Sequence, residues 1–198
     1  MTDVLQLLPT IFLFLVAVFF IITIVFVYRQ YATMKRLLEK QAAKRGGTVE
    51  RKYTTRFLKF PYHDFLVVVS VRQGSRYQPP ETKVSIMLHK SVPSTVSIYH
   101  ESFASRIGKA FGSQDIQSGS EEFDNAFMVK ADDELFVRNL VNMMIQNKLL
   151  DMKKDKPHIL LKGTTLDIFI NKVLKTDVQY DQLIDLAIAL LERIQEVQ

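Results

Sequence analysis

Apolar and polar positions follow three different periods along this chain, and each period predicts a different kind of element. From Ile11 to Tyr28 there is no period at all. The eighteen residues carry no charge, fifteen are Leu, Ile, Phe or Val, and Thr23 is the one clearly polar member before Tyr28. Counted from Leu5, the apolar stretch spans 24 residues. As a helix that is about 36 Å, enough to cross a roughly 30 Å hydrocarbon core with some tilt. Summed side-chain transfer gives an insertion energy of roughly −5 to −9 kcal/mol as an upper bound. The reading is a single N-terminal transmembrane helix over residues 1–28. A cleaved signal peptide would need a basic start, a shorter apolar core and a small-residue cleavage site, and the stretch shows none of these.

Beyond Tyr28 the period becomes helical. Tyr31, Met34, Leu38 and Ala42 share a narrow stripe, Arg29, Arg36, Lys40 and Lys44 lie opposite, and Lys35 with Glu39 forms an i,i+4 pair. Gly46-Gly47 marks the end of this helix as a left-handed cap. The segment 29–47 is thus a basic juxtamembrane helix with three uses open to it: a solvated stalk, a short dimerising coil, or a helix lying on the membrane surface. In the last, Arg29, Lys35, Arg36, Lys40 and Lys44 are the expected contacts to anionic lipid head groups. Leu37 sits off the stripe.

From Thr48 the period drops to two, and strands are expected at Tyr53–Phe60, Phe65–Val71, Lys83–Leu88 and Thr95–His100. Short connections favour pairing them in order as an antiparallel meander. Helical spacing returns at Phe103, Ile107 and Phe111, and Ser118 with Glu121 fits a capping box. A strand at Phe127–Lys130 follows. Asp132 is the expected N-cap of one helix reaching about Leu150, with Val137, Leu140, Val141 and Met144 inward. A hairpin turns about Gly163-Thr164 between His158–Lys162 and Thr165–Lys172. A last helix, about Asp177 to Val197, carries Leu183, Ile184, Ala187, Leu190, Leu191 and Ile194 on one face.

Charge changes the picture in one respect. The net +5 is concentrated in residues 29–56, where nine Lys and Arg face two Glu, while residues 57–198 sum to −1. No Lys or Arg precedes the span, so the positive-inside rule puts the N-terminus outside and the larger part in the cytoplasm, at the cell membrane. A nearly neutral folded unit argues against nucleic acid as a partner. The absence of Cys removes thiol chemistry.

Candidate chemistry is sparse. His63, His89, His100 and His158 lack metal-ligand spacing, although His89 and His100 could meet across a hairpin. His63-Asp64 beside Pro61 reads as a turn. No nucleophile elbow or phosphate loop is present among the Gly-Ser pairs at 112–113 and 119–120. Asp115, Glu121, Glu122, Asp124, Asp132, Asp133 and Glu134 form an acidic run explained by caps and loop solvation, with a divalent-ion or basic-partner surface as the sharper reading. Met143, Met144 and Met152 suit core packing or an adaptable partner groove. No catalytic residue, metal site or cofactor is expected.

The segments Phe111-Gly112-Ser113-Gln114-Asp115-Ile116, Phe123-Asp124, Phe127-Met128-Val129-Lys130 and Asp132-Asp133-Glu134, with Gly119, resemble a loosely defined group of uncharacterised prokaryotic single-pass membrane-anchored proteins. Arg45-Gly46-Gly47 before the first strand is similar too. The resemblance spans most of residues 29–198 in layout, implies one continuous domain and carries no functional residues; the domain is read as 48–198. The expectation is an α+β fold, with one N-terminal transmembrane helix and one cytoplasmic domain of about six or seven antiparallel-rich strands with packed helices. A seven-strand, helix-capped barrel is the alternative. The expected function is a non-catalytic, membrane-tethered protein-interaction or scaffold domain, partnered by the bilayer and by another protein or a second copy. A lipid-handling domain or an enzyme of unrecognised class are the alternatives.

Overall fold

The computed structural model describes residues 2–76, 78–100, 116–117 and 119–197, with side chains from residue 11 onward. Helix α1 runs unbroken from Thr2 to Arg45. Its apolar part is long enough to cross a bilayer, and its side chains are turned outward: Phe12, Phe14 and Phe19 are each about two-thirds exposed. The helix stops as the sequence requires. Gly46 takes a positive φ of 65°, and the Gly47 amide donates back to the Ala42 carbonyl at 2.9 Å, closing a Schellman turn.

Eight strands follow: β1 Thr48–Lys52, β2 Thr55–Tyr62, β3 Phe65–Arg72, β4 Glu81–Met87, β5 Val96–His100, β6 Phe127–Ala131, β7 His158–Lys162 and β8 Thr165–Ile170. They form one fully antiparallel sheet in the order β1-β2-β3-β4-β8-β7-β5-β6. β1 and β6 are its edges, so the sheet is open rather than a barrel. The fold is α+β, as expected, with eight strands in place of six or seven. The expected strand Tyr53–Phe60 is β2, which starts two residues later because Tyr53 adopts a φ of 55° and turns the chain from the additional strand β1. His63, with φ 50°, turns it again before β3.

The meander holds for β1 to β4 and fails at β5, which pairs with β7 and β6 instead. After β4 the chain crosses the tip of the β7–β8 hairpin: Leu88 N–H donates to Thr164 O at 2.7 Å and Val92 N–H to Gly163 O at 2.9 Å. The hairpin therefore occupies the place beside β4. One register serves the whole sheet. Leu58, Val69, Val84, Ile168, Ile159, Ile98 and Val129 are successive partners across seven strands, all at 2% exposure or less. That apolar face is the core, because period two puts every second side chain on it.

Among the described residues, four helices after α1 lie on this face. They are α2 Glu121–Asp124, α3 Glu134–Leu140, α4 Met143–Asp151 and α5 Asp177–Val197. α5 lies over β4 and β8 with all six expected inward residues buried, and α3 and α4 pack on α5. The single helix expected to Leu150 is broken at Val141–Asn142. Asp133, not Asp132, caps α3 by accepting from the Phe136 amide, and Asn142 caps α4 by accepting from Ile145. Met144 is accordingly half-exposed and Met152 buried, where the unbroken helix put Met144 inward. α2 begins after Ser120, which makes no side-chain cap, and Ser118 lies outside the described residues. So does the expected helix over Phe103–Phe111.

The second half of α1 completes the core. Met34, Leu37, Leu38, Gln41 and Ala42 are buried, and the helix packs on β1, β2 and α5. The segment 29–47 therefore shares one apolar core with the strands and helices of 48–198. The buried rows are 34-38-42 and 37-41, a stripe two residues wide that seats a helix on a sheet rather than in water or a thin coil.

Candidate functional site at the helix exit

Three chain segments converge at one end of the sheet: the β1–β2 turn, the β3–β4 loop, and the chain after β8. All three meet α1 over residues 23–35, where the helix leaves its apolar part. Two recesses flank α1 there. One, about 430 Å³, is lined by Phe26, Arg29, Gln30, Thr33, Met34, Gln73 and Val173–Lys175. The other, about 560 Å³, is lined by Thr23, Ile24, Val27, Tyr28, Tyr31, Ala32, Lys35, Arg51 and Arg56. Each joins apolar helix side chains to Lys or Arg, and Tyr28 and Tyr53 stand exposed beside them. Amphipathic aromatics and cations at this height suit a membrane interface.

The five expected head-group residues divide into two sets. Arg29 and Lys35 line the two recesses, Arg36 is exposed, and Lys35 keeps its Glu39 partner at 3.5 Å. Lys40 and Lys44 turn instead to the start of α5. Lys40 Nζ lies 2.7 Å from Asp177, and Lys44 Nζ lies 2.6 Å from Asp177 and 2.7 Å from Asp181. Arg45 reaches Asp181 at 3.1 Å and Asp185 at 3.3 Å. Gln41, fully buried, donates to the Asp177 and Asp181 carboxylates and accepts from Arg45. The Lys40 and Lys44 hydrogen bonds hold the Asp177 carboxyl well below the usual carboxylate range. The Asp177 and Asp181 hydrogen bonds push the Lys44 ammonium up. For Asp181, burial opposes ionisation, but the hydrogen bonds from Lys44, Gln41 and Arg45 outweigh it and the carboxyl is lowered.

Sequence reasoning missed this clasp. Its signal was present: Asp177, Asp181 and Asp185 at i, i+4, i+8 mirror Lys40 and Lys44 at i, i+4.

The histidines do not converge. His89 packs on Phe65 and His100 on Phe127, with β8 and β7 between their strands. His63 is in the turn as expected. His158 Nε2 lies 3.1 Å from Ser97 Oγ, a nucleophile-and-base spacing, but Ser97 is fully buried in the sheet and out of reach of a substrate. Burial pushes the His158 imidazole down, so it is neutral near pH 7. Among the described residues no three His, Asp or Glu are placed to share a metal ion. Asp115 and the Phe111–Asp115 segment lie outside them, and within the rest of the acidic run Asp133 serves as a cap and Glu122 meets Lys153 at 3.1 Å.

The sequence matches no family model and no curated protein. The fold has a counterpart among solved structures: the crystal structure of the mycobacterial trehalose monomycolate transport factor A, TtfA, superposes with a TM-score of 0.57 at 8% identity. The match covers 81% of this chain and 94% of that one. At this identity the likeness is one of fold.

Proposed function

We propose that this protein is a single-pass, membrane-tethered, non-catalytic interaction domain with its N-terminus outside and its folded part on the cytoplasmic side. The observation that carries the reading is that α1 belongs to two environments at once. Its first part is apolar and outward-facing, and its last turns are buried in the domain core. The domain is therefore fixed at the bilayer surface rather than hung from a loose linker. The basic excess after the span supports the cytoplasmic side. At the start of α4, Met143 is 76% exposed and lines a recess of about 320 Å³ together with Val137 and Val141. Exposed methionine beside an apolar recess suits an adaptable protein contact.

The test uses the absence of native cysteine. A cysteine introduced at residue 198 should react with an impermeant maleimide only after lysis, and labelling of intact cells would reverse the orientation. A photo-crosslinker at Met143 in native membranes should give one discrete protein adduct, either another chain or a second copy. Adducts to lipid alone would sink the interaction reading.

A second reading, lipid handling, is supported by the fold shared with a protein named as a transport factor for a mycolate lipid. It is separable by experiment, because it requires the chain to speed transfer of a labelled lipid between vesicle populations, which a tethered interaction domain would not do.

A further inference from the structure

Of the two recesses beside α1, the one against the β1–β2 turn combines depth, charge and an open partner. Ile24 and Val27 form its lower wall, Tyr31 its middle, and Lys35, Arg51 and Arg56 its rim. If Tyr28 marks the hydrocarbon edge, Ile24 lies about 6 Å inside it and Lys35 about 10 Å outside it. The interfacial layer is roughly 5–8 Å thick, so the backbone at Lys35 stands just beyond it and the long Lys and Arg side chains of the rim reach back to phosphate height, while the wall lies against acyl chains.

The rim cations have donors to spare. Arg51 uses its Nε on the Tyr53 carbonyl at 2.9 Å, which fixes the guanidinium and leaves its two terminal nitrogens turned elsewhere. Arg56 is half-buried, and its Nε has no partner. Of the carboxylates close in sequence, Glu50 is held by Lys59 at 2.6 Å, and Glu39 pairs with Lys35 itself at 3.5 Å, both solvent-exposed. A half-buried guanidinium next to a second one suits planar, bidentate recognition of a phosphate. An apolar wall leading down from it excludes a soluble anion as the best-fitting occupant.

We propose that this recess seats one anionic phospholipid of the adjoining leaflet, its phosphate between Arg51, Arg56 and Lys35 and an acyl chain along Ile24 and Val27. The proposal rests on the tethered reading above. It assigns Arg51 and Arg56, which flank the β1–β2 turn, as lipid contacts. It also gives the domain a second hold on the bilayer besides α1.

The test takes the full chain from carbonate-washed membranes in mild detergent and counts retained lipid by native mass spectrometry. Added phosphatidylglycerol should be retained one per chain, phosphatidylcholine should not, and inorganic phosphate should fail to displace the lipid. Each interfacial cation near an anionic group contributes roughly fivefold, so Lys35→Gln with Arg51→Gln should raise the phosphatidylglycerol concentration needed for half occupancy about 25-fold. Both residues are exposed, and an unchanged near-UV spectrum would confirm that this variant folds. Lys162→Gln, at the opposite end of the sheet, should leave retention as it was. Equal retention of the two lipids, displacement by inorganic phosphate, or an unshifted half-occupancy concentration in the double variant would each overturn the proposal. Loss of the chain itself from the washed membranes would instead remove the tethered reading, and this proposal with it.

Discussion

Lys44 Nζ stands 2.6 Å from Asp177 Oδ2, joining the last turn of α1 to the first turn of α5. The contact is 133 residues long in sequence and falls where two helix ends meet. Its charges suit both ends: cations at the C-terminus of α1 and carboxylates at the N-terminus of α5 each oppose the local helix dipole.

The clasp sets a pH window. Asp177 binds its proton less readily folded than unfolded, so the stability it contributes is present above its ordinary value of 3.8 and is lost as pH falls below it. Lys44 is raised, so its contribution is present below 10.5 and is lost as pH climbs past it. Urea midpoints of the full chain should hold level from about pH 6.5, below which buried His158 resists protonation, up to about pH 10, where buried Tyr180 resists ionisation, with the acid limb of the clasp itself below 3.8. Asp177→Asn should lower the plateau and flatten the acid limb. An acid limb as steep as that of the unaltered chain would assign the loss to other carboxylates.

Leu38 is fully buried where α1 meets the sheet. Leu38→Ala should cost about 2–5 kcal/mol in chemical denaturation, the range for truncating a core leucine. Residues 29–198 expressed alone should unfold cooperatively. Residues 48–198 should not, because they lack the helix that covers β2. Cooperative unfolding of the shorter fragment would show that α1 only decorates the core.

Gly47 and Gly46 should respond differently to alanine. A Cβ at Gly47 would lie 2.5 Å from the Lys59 carbonyl and 2.8 Å from Phe60 Cβ, both in β2. Overpacking there should cost about 1–3 kcal/mol. A Cβ at Gly46 meets nothing within 4 Å, and only its φ of +65° resists, at about 1–2 kcal/mol. Matched melting curves of the two variants decide whether space or backbone dominates.

Asn142→Ala removes the cap that starts α4 and should cost about 1 kcal/mol, whereas Met143→Glu, one residue on and 76% exposed, should stay within about 0.5 kcal/mol. A larger loss for Met143→Glu in the purified monomer would mean that this side chain supports the fold itself.

Much of the sheet was legible because alternation fixes which side chains face inward whatever the neighbours are. Val67, Val69 and Val71, or Val84 and Ile86, read the same in any pairing order. For that reason the position of β5 was not legible: its Val96 and Ile98 complement β4 as well as they complement β7. The break at Asn142 was hidden because apolar spacing runs on through Val141 to Met144. At α1 the stripe was drawn one residue too narrow. Leu37, off that stripe, belongs to the buried face, and Gln41 is buried because Asp177, Asp181 and Arg45 satisfy its amide. Lys40 and Lys44 could answer a lipid phosphate or a carboxylate equally well, and only tertiary structure brings Asp177 within reach.

An α-helix that passes from lipid into a sheet without a hinge behaves as a steering column. The eight strands span about 34 Å from β1 to β6 at their usual spacing. Pivoting α1 by about 10° would swing the far edge by roughly 6 Å. Bilayer thickness acts on helix tilt, so the composition of the surrounding lipid sets the bearing of β6, α3 and α4, and a partner waiting there would sense the membrane without touching it.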